Sequence, residues 1–247
     1  MVTVSEESVW ALDEFGGAEL GDERRTARLV ELATVLGSRP QASLPQACED
    51  PALLKAAYRF FANDAIAPDA IVASHVRATL ARVDAVERVL AVQDTTELDW
   101  TAHPATTGLG MLSTVRQRGL LLHTTLAVTP ERVPLGLLAQ DRWTRPPEEA
   151  GKKHTRRERS ITDKESHKWL RSVAAVNAAK EACPRTHFIS VGDAEADVYD
   201  LFLLERQPGV DLLVRAAQDR RLAEPERLRA ALAASPVAAT VHLAVPR

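Results

Sequence analysis

Hydrophobic positions recur along this chain with two different spacings, and the change falls near residue 85. Before it the spacing is helical. In "LGDERRTARLVELATVLG", Leu29, Leu32, Ala33 and Leu36 share one face while Arg24, Arg25 and Arg28 point elsewhere. Asp22 predicts the N-cap of that helix and Gly37 its stop. "DPALLKAAYRFFAND" repeats the punctuation, with Asp50 as cap and Pro51 at the first helical position. A third helix starts at Pro68 and runs through "DAIVASHVRATLARV". After residue 85 the apolar runs become short and β-branched. Val89 to Gln93 predicts a strand, and "GLLLHTTLAVT" and "VPLGLLAQDRW" predict two more, joined as a hairpin through Pro130 to Arg132. A helix from Lys168 to Ala182, a strand "HFISVG", an amphipathic helix "ADVYDLFLLER" and a strand "DLLVRA" follow. From Gln218 the pattern gives a helix, "PERLRAALAAS", and a strand, "AATVHLAV".

Residues 88–216 therefore read strand, strand, strand, helix, strand, helix, strand. The first three have connections short enough for an antiparallel meander, and the last two join in parallel through helical crossovers. That is the order of an RNase H-like fold, placed in the α+β or α/β class. Three units are expected: a helical one over 1–82, a mixed sheet with flanking helices over 83–217, and the start of a strand-rich insertion over 218–247.

Composition narrows the partners. The 247 residues are 26% charged and 45% hydrophobic with a net charge of −3, so no global basic field announces nucleic acid, and any such partner must meet a local patch. Cys48 and Cys183 stand alone and read as buried small apolar residues of a reducing compartment. The N-terminus has neither the basic flank nor the apolar stretch of a signal peptide, and no segment has the run of about 20 apolar residues that a membrane span needs. A soluble, cytoplasmic protein is expected.

Two carboxylates carry the candidate chemistry. Asp94, in "VLAVQDTTELDW", is expected to leave the end of the first strand, and Asp193, in "FISVGDAEADVY", the end of the fourth. Neighbouring strands lie about 4.8 Å apart, so the two acids can meet despite their separation in the chain. Paired carboxylates attract a divalent cation, which neutralises their mutual repulsion. Two such cations about 3.5–4 Å apart can activate a water or a 3′-hydroxyl and stabilise the leaving oxygen of an in-line displacement at phosphorus. Each Asp is equally a residue type that caps turns. Thr95 and Thr96 either orient Asp94 or simply prolong its strand, and Glu195 and Asp197 are expected as helix N-terminal acids.

The cations allow two readings. Arg24, Arg25, Arg28, Lys55 and Arg59 lie on the polar faces of two N-terminal helices, where they either bind phosphates or only solvate the helix. Lys152, Lys153, Arg156 and Arg157 in "KKHTRRER" form a charged loop of the same ambiguity, and Lys164 and Lys168 open the next helix beside Trp169. Arg215 ends a strand that points toward the acids and is expected to contact phosphate. Tyr58, Phe60 and Phe61 are expected in the core, with at most one facing outward, and His123 and His187 as core or edge residues.

The segments "LGDERRTARLVELA", "KAAYRFFAND", "VQDTTELDW", "DKESHKWL", "VGDAEADVYD" and "LLVRA", in this order and spacing, resemble the DDE transposases of bacterial insertion sequences, in particular the cut-and-paste family numbered four. The resemblance runs from Trp10 to about Arg215. It implies an N-terminal DNA-binding domain, Asp94 and Asp193 as the first two acids of the catalytic triad with Mg²⁺ (or Mn²⁺), cleavage of transposon-end DNA and strand transfer into a target. It also implies a bacterial, nucleoid-associated location and a homodimer or a mixed oligomer with a longer transposase. The family's third acid is a Glu inside a tyrosine–arginine–glutamate–lysine signature, and no such "Y-x-x-x-E" signature is present. The chain is therefore expected to be truncated before that helix and inactive alone, or to act as a non-catalytic DNA-binding regulator of transposition. A Mg²⁺-dependent phosphatase of the haloacid dehalogenase kind shares the late "GD-x-x-x-D" pattern, but "VQDTTEL" lacks that family's second early acid.

Overall fold

The computed structural model describes residues 6–114, 116–146, 165–222, 226–240 and 242. Five helices come first: α1 (Glu6–Phe15), α2 (Glu23–Ser38), α3 (Leu44–Ala47), α4 (Pro51–Phe61) and α5 (Pro68–Val83). Asp22 caps α2 by accepting the Arg24 N–H at 2.8 Å, and Asp50 caps α4 by accepting from Ala52 and Leu53. Gly37 does not stop α2, which continues to Ser38. Its missing Cβ serves packing instead: a methyl there would stand 2.5 Å from Cζ2 of Trp10 on α1. Leu29 and Leu32 of α2 and Ala57 and Phe60 of α4 close a small core with Leu20 and Cys48. Fully burying a side chain such as Leu32 contributes about 1.5–3 kcal/mol.

Six strands follow: β1 (Arg88–Asp99), β2 (Gly110–Met111), β3 (Arg118–Val128), β4 (Pro134–Trp143), β5 (His187–Gly192) and β6 (Val210–Val214). Between β4 and β5 lies α6 (His167–Ala182), and between β5 and β6 a 3-10 turn (Ala194–Ala196) and α7 (Tyr199–Leu203). The sheet runs β2-β3-β1-β5-β6, with β4 also on β3. β1, β3 and β4 form the expected antiparallel meander, while β5 lies parallel to β1, and β6 parallel to β5. Period-two alternation turns Val89, Ala91, Ala127, Phe188 and Val210 inward, against Val176 and Ala179 of α6 and Val83 of α5. Trp169 and Val173, on the first half of α6, pack on Ala196 and Leu201.

Three expected elements differ. β1 does not end at Gln93 but continues to Asp99, because Thr95 and Thr96 prolong its ladder with β3 after β5 has left. The helix read over "ADVYDLFLLER" splits into the 3-10 turn and the single turn of α7. The C-terminal helix is α8 (Leu228–Ala234), but residues 238–240 and 242 lie in no strand, and the rest of "AATVHLAV" is outside the described residues. Cys48 and Cys183 are both buried, in separate cores.

A polar joint ties α1 and α5 to β4. Glu14 on α1 accepts from Nδ1 of His75 and from the Arg82 guanidinium, each at 2.6 Å, both on α5. His75 Nε2 in turn accepts the Leu137 N–H at 3.0 Å, which requires the ring proton on Nδ1. Arg82 also donates to the Leu135 carbonyl. Between these strand contacts Gly136 holds φ +133, and a Cβ there would lie 2.2 Å from Thr79 Oγ1, so β4 can approach α5 this closely only at glycine.

Candidate nucleic-acid interface and acidic row

The cations of the helical unit divide by what they already hold. Arg25 donates to the Leu20 carbonyl at 2.8 Å and so braces the turn before its own helix. Arg28 is paired with Glu31 one helical turn on, at 2.5 Å. Among the described residues the side chains of Arg24, Lys55 and Arg59 have no hydrogen-bond or ion-pair partner, and Lys55 and Arg59 stand exposed one turn apart on α4. The aromatic expectation for that helix needs correcting. Phe60 is buried, but Tyr58 is 54% and Phe61 59% exposed, so two of the three rings face outward. The reason is the phase of α4: Ala57, Phe60, Leu53 and Leu54 fill its inner face and leave no room for the other two.

The acids are placed by strand register. β1 and β5 pair in parallel up to Val92 opposite Val191, and β5 and β6 pair Val191 with Leu213. Counting two residues on from these paired positions reaches Asp94, within β1, and Asp193 and Arg215, just past the ends of β5 and β6, a row along one rim of the sheet. The Arg215 N–H donates to the Gly192 carbonyl, which keeps the chain of β6 beside β5 up to this row. On the other side Asp94 pairs with Thr124 of β3, and Thr124 with Gln140 of β4. Asp94 thus lies within β1 rather than at its end, while being just past the end of the parallel ladder.

Asp94, Asp193 and Arg215 are all exposed. One oxygen of each carboxylate is engaged locally. Asp94 Oδ1 accepts the Thr95 N–H at 2.7 Å, and Asp193 Oδ1 accepts the Glu195 N–H at 2.8 Å as cap of the 3-10 turn. The second oxygen of each remains for a ligand. Two hard carboxylate donors level on adjacent strands suit a Mg²⁺ or Mn²⁺ that keeps several waters.

Beneath the row, on the inner face, His123 lies edge-on to Trp169 at 4.7 Å and shares a 2.9 Å hydrogen bond with Thr95 Oγ1. Burial, reinforced by the positive charge of Lys168, pushes the imidazole down to about 4, against a smaller opposing pull from Asp94. His123 is therefore a neutral core residue, as the sequence suggested. His187 opens β5, an inner strand of the sheet, half-exposed with its Nε2 2.8 Å from the Asp211 carboxylate, and so is neither a core nor an edge residue.

Two further expected roles change. Lys168 is 6% exposed, lies beside the rings of Trp143 and Trp169 and reaches Glu195 at 3.4 Å, so it is an internal tie and not a surface cation. Asp197 is not a free helix-terminal acid either. Its buried carboxylate accepts from the N–H groups of Ala217 and Gln218 and from Arg220, and so clamps the chain that follows β6. Burial works to raise its pKa, but the N–H of Gln218 and the Arg220 guanidinium outweigh it and hold the carboxyl below its ordinary value. No spacing in the sequence announces this clamp, because its halves are 23 residues apart.

Lys152, Lys153, Arg156, Arg157 and Lys164 lie outside the described residues. Their flanks do not: Arg145 and Glu165 form a bidentate ion pair, and Arg145 also reaches Glu97, three residues beyond Asp94 on β1.

The architecture so far is that of an α+β protein with a helical unit whose Arg24, Lys55 and Arg59 have no partner among the described residues, docked on a mixed sheet with two acids and an arginine at one rim. Residues 7–66 match the family model described as transposase DNA-binding. The match spans α1 through α4 and supports a transposase N-terminal domain, and with it a DNA-binding role for this unit. Among the described residues no helix is long and apolar enough to cross a membrane.

Proposed function

We propose that this chain is a transposase-type protein whose helical unit holds DNA and whose sheet is an RNase H-like core of the DDE kind. The reading is supported by the transposase DNA-binding match together with a mixed sheet whose β1, β5 and β6 lead to Asp94, Asp193 and Arg215 at one rim. Arg24, Lys55 and Arg59 bind backbone phosphates, which their lack of partners among the described residues leaves them free to do. Arg215 takes a phosphate oxygen at the rim.

Asp94 and Asp193 would hold Mg²⁺ or Mn²⁺ through their outer oxygens, and a bound pair of such ions activates the attacking hydroxyl and stabilises the leaving one. The Thr95 and Glu195 N–H groups orient the two carboxylates. Of the neighbouring acids, Asp197 is held by Arg220 and the Ala217 and Gln218 N–H groups, and Lys168 draws one oxygen of Glu195 to within 3.4 Å. A site of two carboxylates binds the ion weakly and orients a nucleophile poorly, so this chain occupies DNA, alone or in a mixed oligomer, without cutting it.

The test is Mg²⁺- or Mn²⁺-dependent nicking of transposon-end DNA, with a mobility shift on the same DNA, for the wild type, Asp94→Ala and Asp193→Ala. Binding without nicking in all three is expected. Metal-dependent nicking lost in both variants would show a complete site and overturn the non-catalytic part. No binding at all would remove the transposase reading.

A further inference from the structure

The helix that carries the unpaired cations also carries the unexplained rings. On α4 Tyr58, Lys55 and Arg59 are exposed along one arc, and Phe61 stands exposed at its flank, past the half-buried Leu54. The inner arc is complete without Tyr58 and Phe61: Ala57 and Phe60 are buried there, and Phe60 meets Phe61 only edge-on at 5.5 Å. Two aromatic side chains more than half in water cost the folded protein apolar exposure with no packing return, so their use lies outside the helical core.

The partner follows from what surrounds them. Lys55 and Arg59 stand on the same arc, exposed and without an ion-pair partner among the described residues, which selects a polyanion over an apolar protein surface. The helix lies within the segment that matches the transposase DNA-binding model. A phenyl ring cannot read base edges by hydrogen bonds, and the faces of bases inside a duplex are already stacked. In an intact duplex such rings gain at most contact with a thymine methyl or a wedge between base steps, whereas a base that has left the stack offers a full face for sequence-tolerant stacking. The i, i+3 spacing sets the two side chains about 5–6 Å apart at their roots, close enough to act on one base step.

We infer that Tyr58 and Phe61 form a stacking platform for unpaired bases at a DNA end, with Lys55 and Arg59 on the adjoining phosphates. The inference rests on the DNA-binding reading above and adds to it a preference for opened ends. The Tyr58 hydroxyl leaves its ring wet on one edge, as a platform at the protein–DNA boundary needs.

Fluorescence anisotropy on two labelled duplexes of equal length, one blunt and one with mismatched terminal pairs, tests it, with the wild type beside the double variant Tyr58→Ser/Phe61→Ser. Both side chains are exposed, and circular dichroism checks that the variant keeps its helices. The wild type is expected to bind the opened end about tenfold more tightly than the blunt one, and the variant to bring that ratio to about one. As an independent readout, 2-aminopurine at the mismatched terminus changes its emission when the wild type stacks on it and not when the variant is added. A ratio of one in the wild type, or an unchanged ratio in the variant, overturns the platform while leaving DNA binding intact. Loss of self-association in the variant at an unchanged ratio assigns the rings to a second copy and overturns it too. Failure of the wild type to bind either duplex overturns the DNA-binding reading itself.

Discussion

The helical unit and the rim of the sheet place their chemistry in opposite ways. On α4 the candidate side chains are neighbours in sequence, and one helix with its own cap and its own inner face is enough to present them. At the rim, Asp94 lies within β1 while Asp193 and Arg215 follow β5 and β6, and only the pairing of these three strands brings them to one edge. Damage to the first region should therefore stay local, whereas damage to contacts far from the row should still disturb the second.

The largest effect is expected at the Asp197 clamp. Asp197→Ala removes a carboxylate that is 3% exposed and strands the Ala217 and Gln218 N–H groups together with the Arg220 guanidinium. Breaking a buried pair of this kind costs about 3 kcal/mol, at the lower end of the usual range because Arg220 is partly in water. Chemical denaturation would measure it, and hydrogen exchange should show faster exchange of the Arg215 N–H with little change in α2 or α4. Equal loosening of the helices would break the distinction between the two regions.

Acid should act next, and through the sheet. His123 titrates near 4 in the fold against 6.5 when free, so between those values the unfolded chain binds more protons and stability falls as pH falls. The loss is about 2–3 kcal/mol between pH 6.5 and 4, and it is absent above pH 6.5. Comparing the pH slope of unfolding for the wild type and His123→Gln checks this: the slope in that window should flatten in the variant. The smallest effect on stability belongs to the helices. Asp22→Ala removes one N-cap bond and costs about 1 kcal/mol by thermal unfolding, without moving the sheet.

Legibility in the sequence follows the same division. Asp22, Asp50, Pro51 and Pro68 mark helix starts because caps and proline act on adjacent residues, and the structure puts those starts where they predict. The meander and the parallel strands were readable from run lengths and connections. Gly37 misled because a glycine before a break reads as a stop, while its actual constraint, the Trp10 ring, comes from another helix. Tyr58 and Phe61 misled because ring type suggests a core, and only the phase of α4 against α2 decides which rings are inside. Asp94 was readable as an acid after a buried run, but its position within β1 depends on β3 outlasting β5 as a neighbour. The Asp197–Arg220 clamp, the Glu14–His75–Arg82 joint and the burial of Lys168 depend on distant partners and left no local pattern.

The most direct measurement is the affinity of the chain for duplex DNA as a function of salt, for the wild type and for Lys55→Ala/Arg59→Ala. The account predicts wild-type binding that weakens steeply as salt rises. In the variant, the slope of log affinity against log salt should be shallower by about two, one for each phosphate left without its cation, with thermal stability unchanged. Absence of binding, or a slope that the double substitution leaves untouched, would contradict it.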